Sequence, residues 1–461
     1  MSTLAAENGP TARDLETYII KDGLKVIERF FNVPLDHAKP DGEKIRIFAR
    51  HVIPKDKAKT LEEEEKLPFL LYLQGGPGFE VALPGSSGYP GEIHEKGYQT
   101  LWLDQRGTGL STPLSPDTLP ENVKTDEEIA RYLKHFRADS IVKDCEVIRQ
   151  ELIGNKESLE DRKWTLMGQS FGGFCCITYL SFHSEGIKEV FITGGLAPLV
   201  DQPDEVYAAL ARQVMKRNDI YYKKYPQDIS RVRKILAYLD STDVVLPNGG
   251  RLTPSRWQQL GMRFGAHGGI DAIHQLVFRA SDELGQFGKF SYKTLQMAED
   301  QQPFDGNPLY AILHEPIYCQ GKSSDWSAAR ITEQLQQFSW AQMKAQPDTQ
   351  PVYFTGEMIF PDMFDDYTQL RPWKAVADIL AKDNTWGPLY DLEQLSRNEV
   401  KVSAVTYFND MYVDFGYAQE TASKIKNTEQ YITNQLVHDG IREDPGDVMK
   451  KLFKISKREY N

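Results

Sequence analysis

Ser170 sits in the run GQSFGG (168–173), which contains Gly168-x-Ser170-x-Gly172. A serine flanked at this spacing by glycines can occupy the tip of a sharp strand-to-helix turn. There the helix N-terminus favours a developing oxyanion. A serine becomes a nucleophile only with a base to take its proton and an acid to hold that base in the right tautomer. The chain has nine histidines, and only His438 lies beyond residue 314. The acid belongs at the carboxyl end of an intervening strand, and VKVSAVTYFND (400–410) ends at Asp410, with Asp414 as the alternative. The order Ser170, Asp410, His438 is a serine, acid, histidine order.

These residues need a scaffold that brings them together. KIRIFARHVI (44–53) alternates like a half-buried strand, while PFLLYL (68–73) and TLWL (100–103) are continuous apolar runs suited to strands buried on both faces. Residues 139–153 place Ile141, Cys145, Ile148 and Leu152 on one helical stripe. KWTLM (163–167) predicts a strand, FGGFCCITYLSF (171–182) a helix and KEVFITG (188–194) another strand. Between 201 and 350 the pattern is mostly helical. Strand-like runs return at 400–408 and more weakly at QYITNQLV (430–437). The run LEEEEK (61–66) reads as a solvated loop. This is the organisation of an α/β-hydrolase: a mostly parallel sheet with helices on both faces and an inserted helical cap. The expected division is core over 1–200, cap over 201–350 and the rest of the core over 351–461.

The 461 residues suit a large catalytic domain with an insertion. A formal net charge of −12 argues against a nucleic-acid partner. No stretch reaches the roughly 18 apolar residues of a membrane span, and the first residues lack the features of a signal peptide. Cys145, Cys175, Cys176 and Cys319 have no metal-ligand spacing and read as reduced thiols of a cytoplasmic protein. No metal and no organic cofactor is expected, and nothing in the sequence reads the oligomeric state.

Three blocks, QGGPG (74–78), DQRGTGLS (104–111) and GQSFGG (168–173), resemble those of the proline iminopeptidases (prolyl aminopeptidases), serine peptidases of the α/β-hydrolase superfamily. The likeness covers roughly 30–200 and 350–455. The segments FNDMYVDF and HDGIRED look most like the larger microbial members. In GGPG a tight turn exposes backbone N–H groups, so that Gly75 or Gly76 together with Phe171 would form an oxyanion hole. Gln74 stands where the family usually has His, a change expected to alter local packing rather than abolish activity. Asp104 and Arg106 are expected to form a buried structural pair. The resemblance further implies cap glutamates that bind the substrate's ammonium. Glu315 in LHEPIY (313–318) and Glu357 in FTGEMIFPDMF (354–364) match those places, among aromatic neighbours (Tyr318, Phe360, Phe364) that would either wall a proline-sized pocket or belong to the core.

The expected function is a serine aminopeptidase releasing an N-terminal residue, preferably proline, from small peptides with a free N-terminus. An esterase using the same triad on neutral substrates is the alternative, and a non-catalytic binding protein of the same fold the third reading. An ammonium anchor separates the first from the second.

Overall fold

A computed structural model of the chain describes residues 12–457. One nine-stranded sheet runs through it in the order β1-β2-β3-β5-β4-β6-β7-β8-β9. The strands are β1 (Ala12–Ile20), β2 (Leu24–Pro34), β3 (Lys44–Pro54), β4 (Phe69–Leu73), β5 (Gln99–Leu103), β6 (Trp164–Gln169), β7 (Ile187–Thr193), β8 (Lys401–Tyr407) and β9 (Thr428–Thr433). The first three pair antiparallel, and β3 also meets β5 antiparallel. From β5 through β4, β6, β7 and β8 to β9 every pairing is parallel.

The continuous apolar run of β4 follows from this topology. Leu71 and Leu73 pack into a core with Cys145, Ile148 and Ile177 from the helices Ala138–Ile153 and Phe171–Phe182. Leu70 and Tyr72 face the opposite layer, with Met449 and Leu452 of the helix Pro445–Ser456. Alternate side chains leave a strand on opposite faces, so a strand covered on both sides must be apolar throughout. Each such side chain contributes about 1.5–3 kcal/mol of burial.

Two findings depart from the sequence reading. The run LEEEEK is a short helix, Leu61–Lys66, rather than a loop. Thr60 and Glu63 cap each other's backbone N–H groups, and buried Glu64 takes Lys25 and Lys55, each at 2.7 Å. The hairpin β1–β2 lies outside the expected strand set. Much of β1 is exposed, so it lacks the apolar alternation that marks a half-buried strand.

Between β7 and β8 the chain is helical, from Asp204–Lys224 through Leu392–Ser396, with one isolated bridge at Val245 and Arg251. The helical stretch expected over 201–350 is thus continuous with further helices, and the sheet resumes only at Lys401. This insertion sits on the core at defined points. A Cβ on Gly78 would come within 2.6 Å of the Tyr310 nitrogen, and Arg137 donates to the carbonyls of Cys319 (2.5 Å) and Gly387 (2.6 Å). Among the described residues no helix is long and apolar enough to cross a membrane, and all four cysteines are free and buried.

Candidate functional site

Ser170 joins β6 to the helix Phe171–Phe182 with φ 54° and ψ −124°, a left-handed backbone that a non-glycine residue adopts only under constraint. The constraint is close packing on both sides. A Cβ on Gly172 would lie 1.9 Å from the Leu73 carbonyl oxygen, and one on Gly168 2.3 Å from the Gly172 oxygen. Only glycines let strand and helix meet so closely. The Ser170 N–H donates to the Thr193 carbonyl (3.0 Å), tying the turn to the end of β7.

Asp410 and His438 lie just beyond the carboxyl ends of β8 and β9. Asp410 is only 2% exposed, and its two oxygens are divided in use. Oδ1 accepts the N–H groups of Tyr412 (2.8 Å) and Val413 (3.1 Å), and Oδ2 lies 2.8 Å from His438 Nδ1. Contact at Nδ1 leaves Nε2 as the free ring nitrogen. Burial pushes the His438 pKa down, but Asp410 outweighs it with Glu357 adding to the rise, and the net shift is upward. Asp414, the alternative acid, instead caps the helix Phe415–Lys424 by accepting from the Tyr417 N–H at 3.1 Å.

Ser170 and His438 share one cavity of about 280 Å³, whose lining includes Gly75, Gly76, Tyr310, Glu357 and Tyr412. A Cβ on Gly75 would lie 3.1 Å from that of Ser170, so this glycine's backbone is packed against the serine. Phe171 begins its helix, where the first N–H groups have no partner within the helix. Gln74 receives the Tyr72 hydroxyl (3.1 Å) and donates to the Glu80 carbonyl (3.2 Å). Its own carbonyl accepts from Gln105 Nε2 (3.1 Å), a tether from the DQRG block to the glycine turn.

The expected Asp104–Arg106 pair does not form. Arg106 binds Asp144 through two nitrogens, at 2.7 and 2.5 Å. Asp104 instead accepts the N–H groups of Val81 (2.8 Å) and Leu110 (3.0 Å). Asp144 lies in a helix far along the chain, where no motif marks it.

The two glutamates part company. Glu357 lines the Ser170 cavity, receives the Tyr310 hydroxyl and lies 3.9 Å from His314 Nε2. Burial pushes the Glu357 carboxyl up to about 7 and the His314 imidazole down to about 4, so His314 is a neutral neighbour near pH 7. Glu315 does not line that cavity. Its carboxylate accepts from Ala328 N (2.9 Å) and Ser327 N (3.3 Å) at the start of the helix Ser327–Glu333. The expected aromatic walls are also elsewhere. Tyr318 packs against Phe174 and Tyr207, and Phe364 against Trp326, while Phe79, Tyr310 and Tyr412 wall the cavity. A larger cavity of about 860 Å³ within the insertion holds Phe360 but none of Ser170, Asp410 and His438.

Glu315 has a consequence for stability. Burial raises its pKa to about 7, against about 4.3 in an unfolded chain. The protonated form is therefore favoured by folding, and that stabilisation is full below about pH 4 and lost as pH rises through 7. Wild-type stability should decline between pH 5 and pH 8 by on the order of 3 kcal/mol from this group. Glu315→Gln should remove that share of the slope in urea titrations at the two pH values, leaving the similar share from Glu357. An unchanged slope would show that Glu315 is not a source.

Among the described residues, Glu146, His183 and Glu185 form one group with metal-ligand atoms in mutual reach. Glu146 is already committed to Arg149 (2.8 and 2.7 Å) and the Tyr179 hydroxyl, so an ion there would have to displace an arginine.

A parallel sheet that presents a strained serine beside a carboxylate-held histidine defines a hydrolase of the α/β-hydrolase fold. The family model described as "alpha/beta hydrolase fold" matches residues 68–238. The chain is 42% identical over 425 residues to "Proline iminopeptidase aneH" of Aspergillus aculeatus, covering 92% of each. It is 40% identical over 441 residues to "Proline iminopeptidase" of Aeromonas sobria, covering 95% of this chain and 98% of that one. Among solved structures, a proline iminopeptidase from Mycobacterium smegmatis aligns at a TM-score of 0.39 and 13% identity, covering 92% of this chain and 98% of that one. The chain belongs to the proline iminopeptidase family.

Proposed function

We propose that this enzyme removes an N-terminal residue, preferably proline, from short peptides through an acyl-enzyme on Ser170. The observation that carries the reading is Glu357, a carboxylate with little exposure in the same small cavity as Ser170 and His438. The hydroxyl of Ser170 attacks the scissile carbonyl while His438 Nε2 takes its proton. The backbone N–H groups of Phe171 and of Gly75 or Gly76 stabilise the oxyanion. As the C–N bond breaks, His438 returns the proton to the leaving amine, and water then releases the acyl group by the same steps in reverse. Asp410 holds the imidazole throughout.

Glu357 pairs with the substrate's ammonium. A carboxylate that burial holds at about 7 gains from a cation, which restores the charge that desolvation opposes. Phe79, Tyr310 and Tyr412 are the apolar surface against which a pyrrolidine ring packs. Glu315 supports this arrangement from behind, fixing the helix at 327–333, and is not proposed as a direct ligand. The division into a core and a cap over 201–350, and a cytoplasmic location, remain part of the reading.

The test compares a prolyl arylamide, its N-acetylated form and a neutral aryl ester. The free prolyl substrate should exceed the acetylated one in kcat/KM by about a hundredfold or more, because acetylation removes the charge and leaves the buried Glu357 without a cation to pair with. Glu357→Gln should erase most of that preference, chiefly through KM, and spare the ester. Equal cleavage of free and acetylated substrates would favour an esterase and remove the aminopeptidase reading.

A further inference from the structure

Arg263 and Arg442 line the cavity that contains Ser170, and neither belongs to an ion pair found among the described residues. The Nε of Arg263 is buried with no hydrogen-bond partner. Arg442 reaches only Gln169 Oε1, at 3.4 Å. The chain has 66 acidic residues against 54 basic ones, so acids to pair with are not scarce. Asp439 also lines the cavity but is taken up by His267, whose backbone nitrogen lies 3.1 Å from each carboxylate oxygen and whose Nδ1 is 2.5 Å away.

Both arginines line the same cavity as His438. Arg442 follows His438 by four residues, in the short helix Gly440–Glu443. Arg263 adjoins Met262, whose carbonyl accepts the Tyr412 hydroxyl, and the Tyr412 ring lies 4.6 Å from that of His438. His438 is the group that hands a proton to the leaving amine, so its surroundings are the leaving-group side of the site. An unpaired guanidinium is built to take a carboxylate through two parallel N–H···O bonds.

We infer that Arg263 and Arg442 bind the C-terminal carboxylate of the leaving group, so that the preferred substrates are dipeptides, held as zwitterions between Glu357 and the arginine pair. This deepens the aminopeptidase reading and rests on it. An extended chain adds about 3.3–3.6 Å per residue. Each residue beyond the second therefore carries the carboxylate away from the arginines by that distance, and the fixed pair measures substrate length.

The experiment uses the full-length enzyme and four substrates: prolylglycine, prolylglycinamide, prolyl-triglycine and a prolyl arylamide. In the wild type, kcat/KM for prolylglycine should exceed that for its amide by about tenfold, mostly through KM, because the amide lacks the charge that strengthens the bonds to arginine. Prolyl-triglycine should resemble the amide. In the double variant Arg263→Gln, Arg442→Gln the acid-to-amide ratio should fall to about one. The ratio is read within one enzyme, so any general loss cancels. Arg442 is exposed, so Arg442→Gln alone keeps the test usable if the double variant does not fold, with the ratio falling about threefold.

A wild-type ratio near one, or a ratio that survives both substitutions, would overturn the inference. So would a variant that shifts the pH profile of arylamide cleavage and leaves the ratio untouched, since the arginines would then act on His438 rather than on substrate. No turnover of any prolyl substrate would remove the aminopeptidase reading itself, an outcome distinct from turnover without discrimination.

Discussion

Ser170→Ala should lower kcat by about a millionfold for peptide and ester substrates alike, with little change in KM. The loss is this large because the oxygen that forms the acyl bond is gone, and His438 and Asp410 then have no proton to move. What survives is catalysis from the oxyanion donors and from binding, which in serine hydrolases leaves about a thousandfold or more over the uncatalysed rate. The substitution is mild for the fold. Ser170 makes no side-chain cap of its helix, and the N–H bond to Thr193 is kept by any residue except proline. Far-UV circular dichroism and the unfolding midpoint should therefore match wild type. An aryl phosphonate should label the wild-type enzyme stoichiometrically at Ser170 and leave the variant unlabelled. Turnover above a few per cent in the variant would remove Ser170 as the nucleophile.

Much of this architecture is legible in the sequence because strand burial leaves a local signature. The run 68–73 is apolar throughout, and 101–103 likewise, because β4 and β5 are covered on both faces. The glycines of 168–173 are visible because Gly168 and Gly172 sit where a side chain cannot fit. Asp410 and His438 could be sought because each follows a strand, even though β9 is weakly apolar at the sheet edge.

What was not legible depends on contacts between distant segments. Arg106 turns to Asp144 rather than to its neighbour Asp104, and only the fold brings that helix to the DQRG loop. Glu315 and Glu357 lie in equally apolar surroundings in the sequence. Their difference is whether the carboxylate meets helix N–H groups at 327–328 or the cavity, which spacing along the chain does not encode. The same holds for Tyr310 and Arg263, which the packing of the insertion on the core brings to the Ser170 cavity, and for Tyr412 and Arg442, which reach it from the segments that follow β8 and β9. Glu63 and Thr60 were a different case. Their capping-box spacing was present in the sequence, beneath a charge run that suggested a loop.

Asp410→Asn should lower kcat by about ten-thousandfold, and the hydrogen bonds around Asp410 say why. Oδ1 accepts two backbone N–H groups, from Tyr412 and Val413. An asparagine must put its only oxygen there, since its NH2 group has nothing to donate to in that place. The NH2 then faces His438 Nδ1 at the position now held by Oδ2. A donor opposite Nδ1 requires that nitrogen to accept, so the ring proton moves to Nε2, and the histidine can no longer take the proton of Ser170. The fold should be nearly unaffected, because shape and backbone bonds are kept. The acid limb of the kcat/KM profile should also move to lower pH, since Asp410 is the main charge holding the His438 pKa up against burial. Asp414→Asn is the matched control: asparagine caps a helix about as well as aspartate, so the bond to Tyr417 survives and activity should stay within about twofold. Loss of turnover in Asp414→Asn with activity retained in Asp410→Asn would exchange the two roles and break the link between the strand-end carboxylate and the histidine.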